Sequence, residues 1–141
     1  SLKFLASEAG KITKYSKIYE TEPWGQIDQK FFLNQVVEIK TNIDPFNLLK
    51  VCKNIEINMG RKNTKKWSER IIDIDILYYS SLIINNDNLT IPHPFIHKRN
   101  FVIIPLIDLN KNYRHPVLNL TNIELLNICN DKSNVSEYGN L

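Results

Sequence analysis

Cysteine is scarce: Cys52 and Cys129 are the only two in 141 residues. Both sit on otherwise apolar helical faces without metal-ligand spacing. Two thiols do not make a disulfide framework, and a reducing cytoplasm fits such a chain best. Apolar runs are short as well. Residues 101–107, with a proline inside, form one of the longest, far below the roughly 18 residues a membrane helix needs, so no bilayer-spanning helix is expected. With 4 glycines and 6 prolines the chain is neither collagen-like nor low-complexity, and it has no internal repeat. It also lacks a Gly-rich phosphate loop of the P-loop or dinucleotide type, a zinc-type cluster, and a Ser/His/Asp or Cys/His signature. Phosphate binding here must rest on side chains and metal. There is no signal peptide, and the first residue is Ser1 within a helical pattern, so a piece N-terminal to it is expected to be missing.

What is present suits one domain with one core, since 43% of the residues are apolar. The net charge of +3 is local: residues 61–70 carry five cations and one anion, +4 in all, which leaves −1 for the rest. A focused positive segment in a nearly neutral chain favours a polyphosphate or nucleic-acid ligand over general stickiness.

Residues 1–9 read as the end of a helix, with Leu2, Leu5, Ala6 and Ala9 on one face and Gly10 as its stop. Residues 12–21 read as a strand, 21–30 as a loop and 31–40 as a second, half-buried strand. Asp44-Pro45 is a helix-start signal. Leu48, Cys52, Ile55 and Met59 follow at helical spacing, which predicts a helix over 45–59 closed by Gly60. Residues 71–79 have strand composition, with Asp73 and Asp75 on one face and Ile72, Ile74, Ile76 and Tyr78 on the other. Residues 82–84 suggest a short strand, and Thr121 with Glu124 a capping box for a last helix over 122–129. The remainder reads as loop and helix, and 131–141 as a polar, frayed tail. Consecutive strands mixed with helices argue for an α+β fold. A strand before the first helix would complete a ferredoxin-like βαββαβ sandwich with a C-terminal extension.

The pair Asp73 and Asp75 is the strongest chemical feature. Residues two apart on a strand point the same way, with Cα atoms roughly 6.6 Å apart. At an effective dielectric near 20 the two carboxylates then repel by about 2.5 kcal/mol, a cost that a bridging hard dication removes. Carboxylate oxygens suit Mg²⁺, which keeps waters and takes other ligands from substrate phosphates. A solvated edge strand would carry the same pair, but here it follows directly on the basic loop. Arginine is rare, with Arg61, Arg70, Arg99 and Arg114 against 14 lysines. Its use at Arg61 and Arg70 therefore hints at bidentate phosphate recognition. Trp67 in the same loop suits a lid over a ring or nucleotide, or docking on the protein's own surface. His93, between Pro92 and Pro94, has a backbone that fixes its imidazole for phosphate contact or acid/base work.

Together, the run Tyr19-Glu20-Thr21-Glu22-Pro23-Trp24-Gly25, then Phe32 and Asn34, Glu56, Gly60-Arg61, Trp67, Arg70, Asp73-Ile74-Asp75, His93 and Arg99-Asn100-Phe101 closely resemble the 6-hydroxymethyl-7,8-dihydropterin pyrophosphokinases of folate biosynthesis. The resemblance covers about residues 1–118. It implies a cytoplasmic ATP-dependent diphosphotransferase that moves pyrophosphate from MgATP to the pterin and releases AMP. It further implies one pyrophosphokinase domain over 1–141, incomplete at its N-terminus, acting as a monomer without nucleic-acid or membrane partners. By the resemblance Asp73 and Asp75 bind two Mg²⁺, and Arg61 and Arg70 clamp the moving phosphates. Glu56, Trp67, His93 and Arg99 serve the ATP site, and Thr21, Trp24, Gly25, Phe32, Asn34 and Phe101 hold the pterin, with Arg61, Arg70 and Asp75 named as catalytic. The family's first strand and Gly-Ser-Asn loop, about 20 residues by usual element lengths, are not found before the first helix. Phe32 stands where the family often has Tyr, and Asn88 where some members carry Arg.

Two other classes share parts of this pattern. A ferredoxin-like single-stranded RNA-binding module would use an exposed Phe32 for stacking, but it predicts basic residues spread along the sheet rather than concentrated beside two acids. A metal-dependent nuclease would use the same aspartates and leave the Thr-Glu-Pro-Trp-Gly loop without a purpose.

Overall fold

The computed structural model of the chain describes residues 1–22, 31–60 and 72–139. Helix α1 (Leu2–Glu8) ends before Gly10, as expected. Gly10 has a φ of +153°, and a Cβ there would run into the Lys40 carbonyl oxygen and the Ile39 side chain. The glycine thus stops the helix and lets the next strand lie close to its partner.

The two predicted strands form one antiparallel hairpin, each arm of which is interrupted once. Near the open end β1 (Lys11–Tyr15) pairs with β4 (Val37–Lys40), and nearer the tip β2 (Tyr19–Thr21) pairs with β3 (Phe32–Asn34). The interruption falls at buried Ser16. Its N–H donates to the Val36 carbonyl at 2.8 Å, and its Oγ accepts from the Val36 N–H at 2.9 Å. A side-chain oxygen thereby takes a donor that the ladder would otherwise use, and the hairpin passes from one sheet to the next.

Helix α2 (Pro45–Asn58) begins as predicted, with the Asp44 carboxylate accepting from the Asn47 N–H at 3.0 Å, and Met59 is its C-cap. Its buried stripe of Leu48, Cys52 and Ile55 meets Leu5 of α1 and Ala9, the C-cap of that helix, with Ile12, Val37 and Ile39 of the sheet, in a first core. A second core joins Ile103 and Leu106 of α3 (Asn100–Asn110) to Leu125 of α4 (Asn122–Ile128), together with Ile96 and Cys129. The α4 capping box is present in both directions. Helix α3 is apolar around most of its circumference, which hides the helical period in the sequence.

Residues 72–79 run between the cores. Ile74, Ile76 and Tyr79 pack on the first and Leu77 and Tyr78 on the second. Burial alternates as predicted, with Asp73 and Asp75 exposed and Ile72, Ile74 and Ile76 half-buried. The expected strand pairing is not found: no described strand forms a ladder with this segment. Residues 72–80 and 33–41 instead line a shared cavity of about 900 Å³. The segment's backbone groups find other partners: the Ile74 N–H donates to Glu56 Oε1 at 2.8 Å, and the Leu77 carbonyl accepts from the His93 N–H at 2.8 Å.

Two further corrections concern the periphery. The short strand expected at 82–84 starts two residues later, as β5 (Ile84–Asn85) paired with β6 (Thr90–Ile91). The tail expected to fray instead contains β7 (Val135–Glu137), which adds to β2 and makes the sheet order β3-β2-β7. Residues 131–141 were too polar to suggest a strand, but a strand whose partner is distant in sequence needs only backbone groups and an open edge. The architecture is α+β, with four described helices and small antiparallel sheets. One continuous ferredoxin-like sheet is not formed by the described residues. No described helix is long and apolar enough to cross a membrane.

Candidate active site

Helix α2 sets the Asp pair in place from behind. Glu56, only 2% exposed, accepts from the N–H of Ile74, the residue between Asp73 and Asp75. Lys53, one turn earlier, lies 3.6 Å from the other Glu56 oxygen. The buried carboxylate therefore fixes the backbone that carries two exposed ones. Sequence reading placed Glu56 at the ATP site but did not single out Lys53, whose signal was only its three-residue spacing from Glu56.

Asp75 also faces His93, with Oδ2 4.0 Å from Nε2. His93 Nδ1 accepts from the Phe95 N–H at 3.2 Å, so a neutral ring carries its proton on Nε2, on the Asp75 side. Burial pushes the imidazole below its ordinary pKa; the Asp75 charge opposes this and Arg99 adds to it. A neutral N–H donor is the result near pH 7. Asp75, His93, Lys53, Asp87, Asn88 and Thr90 line one cleft of about 220 Å³.

Asn34, Asp73, Asp75, Arg99 and Phe101 line the larger cavity. Asp75 thus belongs to both spaces, and the acids share one of them with an amide and an aromatic ring. The Asn34 amide donates to Thr21 Oγ1 at 2.9 Å, across the β2–β3 pair. Among the described residues this contact leaves the Asn34 carbonyl oxygen and its second N–H to a ligand. Phe32, two residues before Asn34, stands 57% exposed on the same strand. At the start of α3 the Arg99 guanidinium lies over two rings, 5.0 Å from the Phe95 centroid and 5.8 Å from that of Phe101.

Trp24, Gly25, Arg61, Trp67 and Arg70 lie outside the described residues. Thr21, Phe32, Asn34, Glu56, Asp73, Asp75, His93, Arg99 and Phe101 are described, and the two spaces joined at Asp75 gather most of them. Cys52 is no candidate nucleophile: burial first, then the Glu56 charge, pushes its thiol up to about 11.

Among the described residues no three His, Cys, Asp or Glu side chains form a cage for an ion. Two exposed carboxylates, with no third ligand in a cage among the described residues, fit a hard dication whose remaining ligands include water and phosphate oxygens, which is the habit of Mg²⁺.

The profile of the family described as 7,8-dihydro-6-hydroxymethylpterin-pyrophosphokinase matches residues 1–111. The folic acid synthesis protein FOL1 of Dictyostelium discoideum is 44% identical over 110 residues, which are 78% of this chain and 17% of that protein. The 2-amino-4-hydroxy-6-hydroxymethyldihydropteridine pyrophosphokinase of Methylorubrum extorquens is 39% identical over 110 residues, covering 77% of this chain and 70% of the relative. The Bacillus subtilis protein of the same name is 38% identical over 128 residues, 90% of this chain and 77% of the relative. With a matching profile over most of its length and relatives of this kind largely spanned by it, the chain belongs to the 7,8-dihydro-6-hydroxymethylpterin-pyrophosphokinase family, pyrophosphokinases of folate biosynthesis.

Proposed function

We propose that this chain transfers the terminal pyrophosphoryl group of MgATP to the hydroxymethyl oxygen of 6-hydroxymethyl-7,8-dihydropterin. The oxygen attacks the β-phosphorus, the bond from that phosphorus to the α-phosphate bridging oxygen breaks, AMP leaves, and the hydroxyl proton is released. The observation that carries this reading is one large cavity whose lining includes Asp73, Asp75, Arg99, Asn34 and Phe101, so acids suited to a metal and groups suited to a flat, polar-edged ring open onto the same space.

Such a reaction depends on positioning and charge neutralisation rather than covalent help. Asp73 and Asp75 would hold Mg²⁺, two ions by family resemblance. When bound, the metal neutralises phosphate charge and orients the chain of phosphates. Glu56 keeps the two acids in register by holding the Ile74 N–H. His93 donates its Nε2 proton to a phosphate oxygen, and Lys53 supplies a cation on the same cleft. By family resemblance Arg61 and Arg70 would clamp the moving phosphates, and Trp67 would serve the ATP site. The pterin stacks between Phe32 and Phe101. The amide of Asn34, steadied by Thr21, reads its polar edge, and by family resemblance Trp24 and Gly25 would also bind the pterin. The same reading takes the fold as ferredoxin-like and the molecule as a monomer, with no nucleic-acid or membrane partner. Its two buried, free thiols suit a reducing compartment such as the cytoplasm.

Incubating the chain with ATP, Mg²⁺ and the reduced hydroxymethyl pterin should release AMP in step with pterin pyrophosphate, and omitting either the metal or the pterin should stop it. Failure to form AMP under those conditions, together with salt-sensitive oligonucleotide binding that needs neither Mg²⁺ nor ATP, would transfer the site to the RNA-binding class.

A further inference from the structure

The matched profile ends at residue 111, yet the segment beyond α4 makes some of the longest-range contacts around the proposed pterin pocket. Arg99 is the N-cap of α3 and makes no side-chain cap bond. The acceptor comes from the far end of the chain: Asp131 Oδ2 takes the Asn100 N–H at 3.2 Å. The Asn100 amide then donates to the Ser133 carbonyl at 2.7 Å. Asp131 is itself aimed by Ser133, whose Oγ and N–H donate to Oδ1 at 2.6 and 2.9 Å. Hydrogen bonds from Ser133 and Asn100 outweigh the effect of burial and hold the Asp131 carboxyl below the usual range, so it is ionised at neutral pH. A negative charge there also suits the positive end of α3.

Four residues on, the same segment becomes β7. Val135 stands opposite Thr21, Ser136 opposite Glu20 and Glu137 opposite Tyr19. The Glu22 N–H reaches the Asn134 carbonyl at 3.4 Å, and Glu137 forms an ion pair with Lys17 at 3.6 Å. One short stretch therefore grips both walls of the pocket: the α3 start that carries Arg99 and Phe101, and the β2 strand whose Thr21 holds Asn34.

We propose that residues 131–138 are a strap that sets the distance between the two walls of the pterin pocket, with Asp131 as its positioning residue. This rests on the pterin reading above. Among the described residues the strap makes no hydrogen bond or ion pair with Asp75 or His93, and its link to the ATP side is indirect, through Asn100 beside Arg99, so its effect should fall mainly on the pterin and only weakly on ATP.

The test is steady-state kinetics of the full chain and two variants, Asp131→Ala and Ser133→Ala, with pterin binding measured separately by calorimetry. Asp131→Ala should raise KM and Kd for the pterin about tenfold, the scale of losing one hydrogen bond to a charged acceptor. KM for ATP should rise clearly less, by no more than about threefold through Arg99, and kcat should fall less than the pterin KM rises. Ser133→Ala, which only loosens the aim of Asp131, should give a smaller shift in the same direction, and it decides the matter if Asp131→Ala does not fold. Unchanged pterin KM in both variants, or equal rises for pterin and ATP, would overturn the strap. Absence of AMP formation by the unsubstituted chain would instead overturn the reading on which it rests.

Discussion

Asp75 stands where the two spaces of the site meet, so its removal separates chemistry from stability. Asp75→Ala should lower Mg-dependent AMP formation at least about a hundredfold, the scale of losing a key electrostatic group. It should also leave the thermal midpoint unchanged or slightly raised, because the side chain is exposed and a like-charge repulsion with Asp73 disappears. Turnover within a few-fold of the unsubstituted chain would remove the metal role. Glu56 should behave in the opposite way. Glu56→Ala strands the N–H of Ile74 in a half-buried place, at about 1–3 kcal/mol for an unmet donor, and lets the two aspartates shift. Glu56→Gln keeps an acceptor for that N–H and should retain most of the stability. Chemical denaturation of the pair, with AMP assays alongside, checks whether Glu56 acts through the backbone it holds. At this scale the sequence showed the chemistry of each side chain but not its direction. The spacing of Asp73 and Asp75 implied a shared face, and burial alternation agrees. Nothing local revealed that Glu56 would turn inward to Ile74, because its partner lies 18 residues away.

Local signals placed some elements well. The α2 start was legible because the Asp44 carboxylate and Pro45 satisfy the first turn within four residues, and the α4 start because Thr121 and Glu124 serve each other. Replacing Thr121 by Ala should cost about 1 kcal/mol, read as a lower denaturation midpoint with unchanged slope, and Thr121→Ser should recover it. The hairpin was legible as two β-rich runs, but its division into two sheets was not, since that depends on Ser16 finding Val36 across the pair. Residues 72–79 carry a strand's pattern without a strand's ladder among the described residues. Pattern reports which side is buried, whereas pairing requires a neighbour at the right distance. β7 is the converse, a polar segment that pairs because β2 offers an edge.

Across the molecule, His93 and His115 share a tendency that gives the protein a pH response. Burial lowers both imidazoles below 6.5, with Arg99 adding to it at His93 and His97 at His115. Since the native-state values lie below the unfolded one, the unfolded chain takes up protons first as pH falls. Stability is therefore full above about 6.5 and declines below it, until the native imidazoles also protonate. Asp131, held below its ordinary 3.8, adds a loss of the same sign at lower pH. Thermal midpoints measured from pH 7.5 to 5 should fall, and His93→Gln should remove part of that slope and leave the His115 part. A flat profile would show that the two rings are not buried in solution as they are here.

The sequence by itself determined the α+β class, the family, and which side chains carry charge, ring or amide, because these follow from residue type, order and local spacing. Tertiary structure alone decided that Asp73 and Asp75 share a cavity with Asn34, Arg99 and Phe101, that Glu56 supports them from behind, and that the C-terminal segment joins β2 and caps α3. Those contacts link positions tens of residues apart. They are fixed by where two packed cores leave donors, acceptors and strand edges open, and a linear pattern does not encode that.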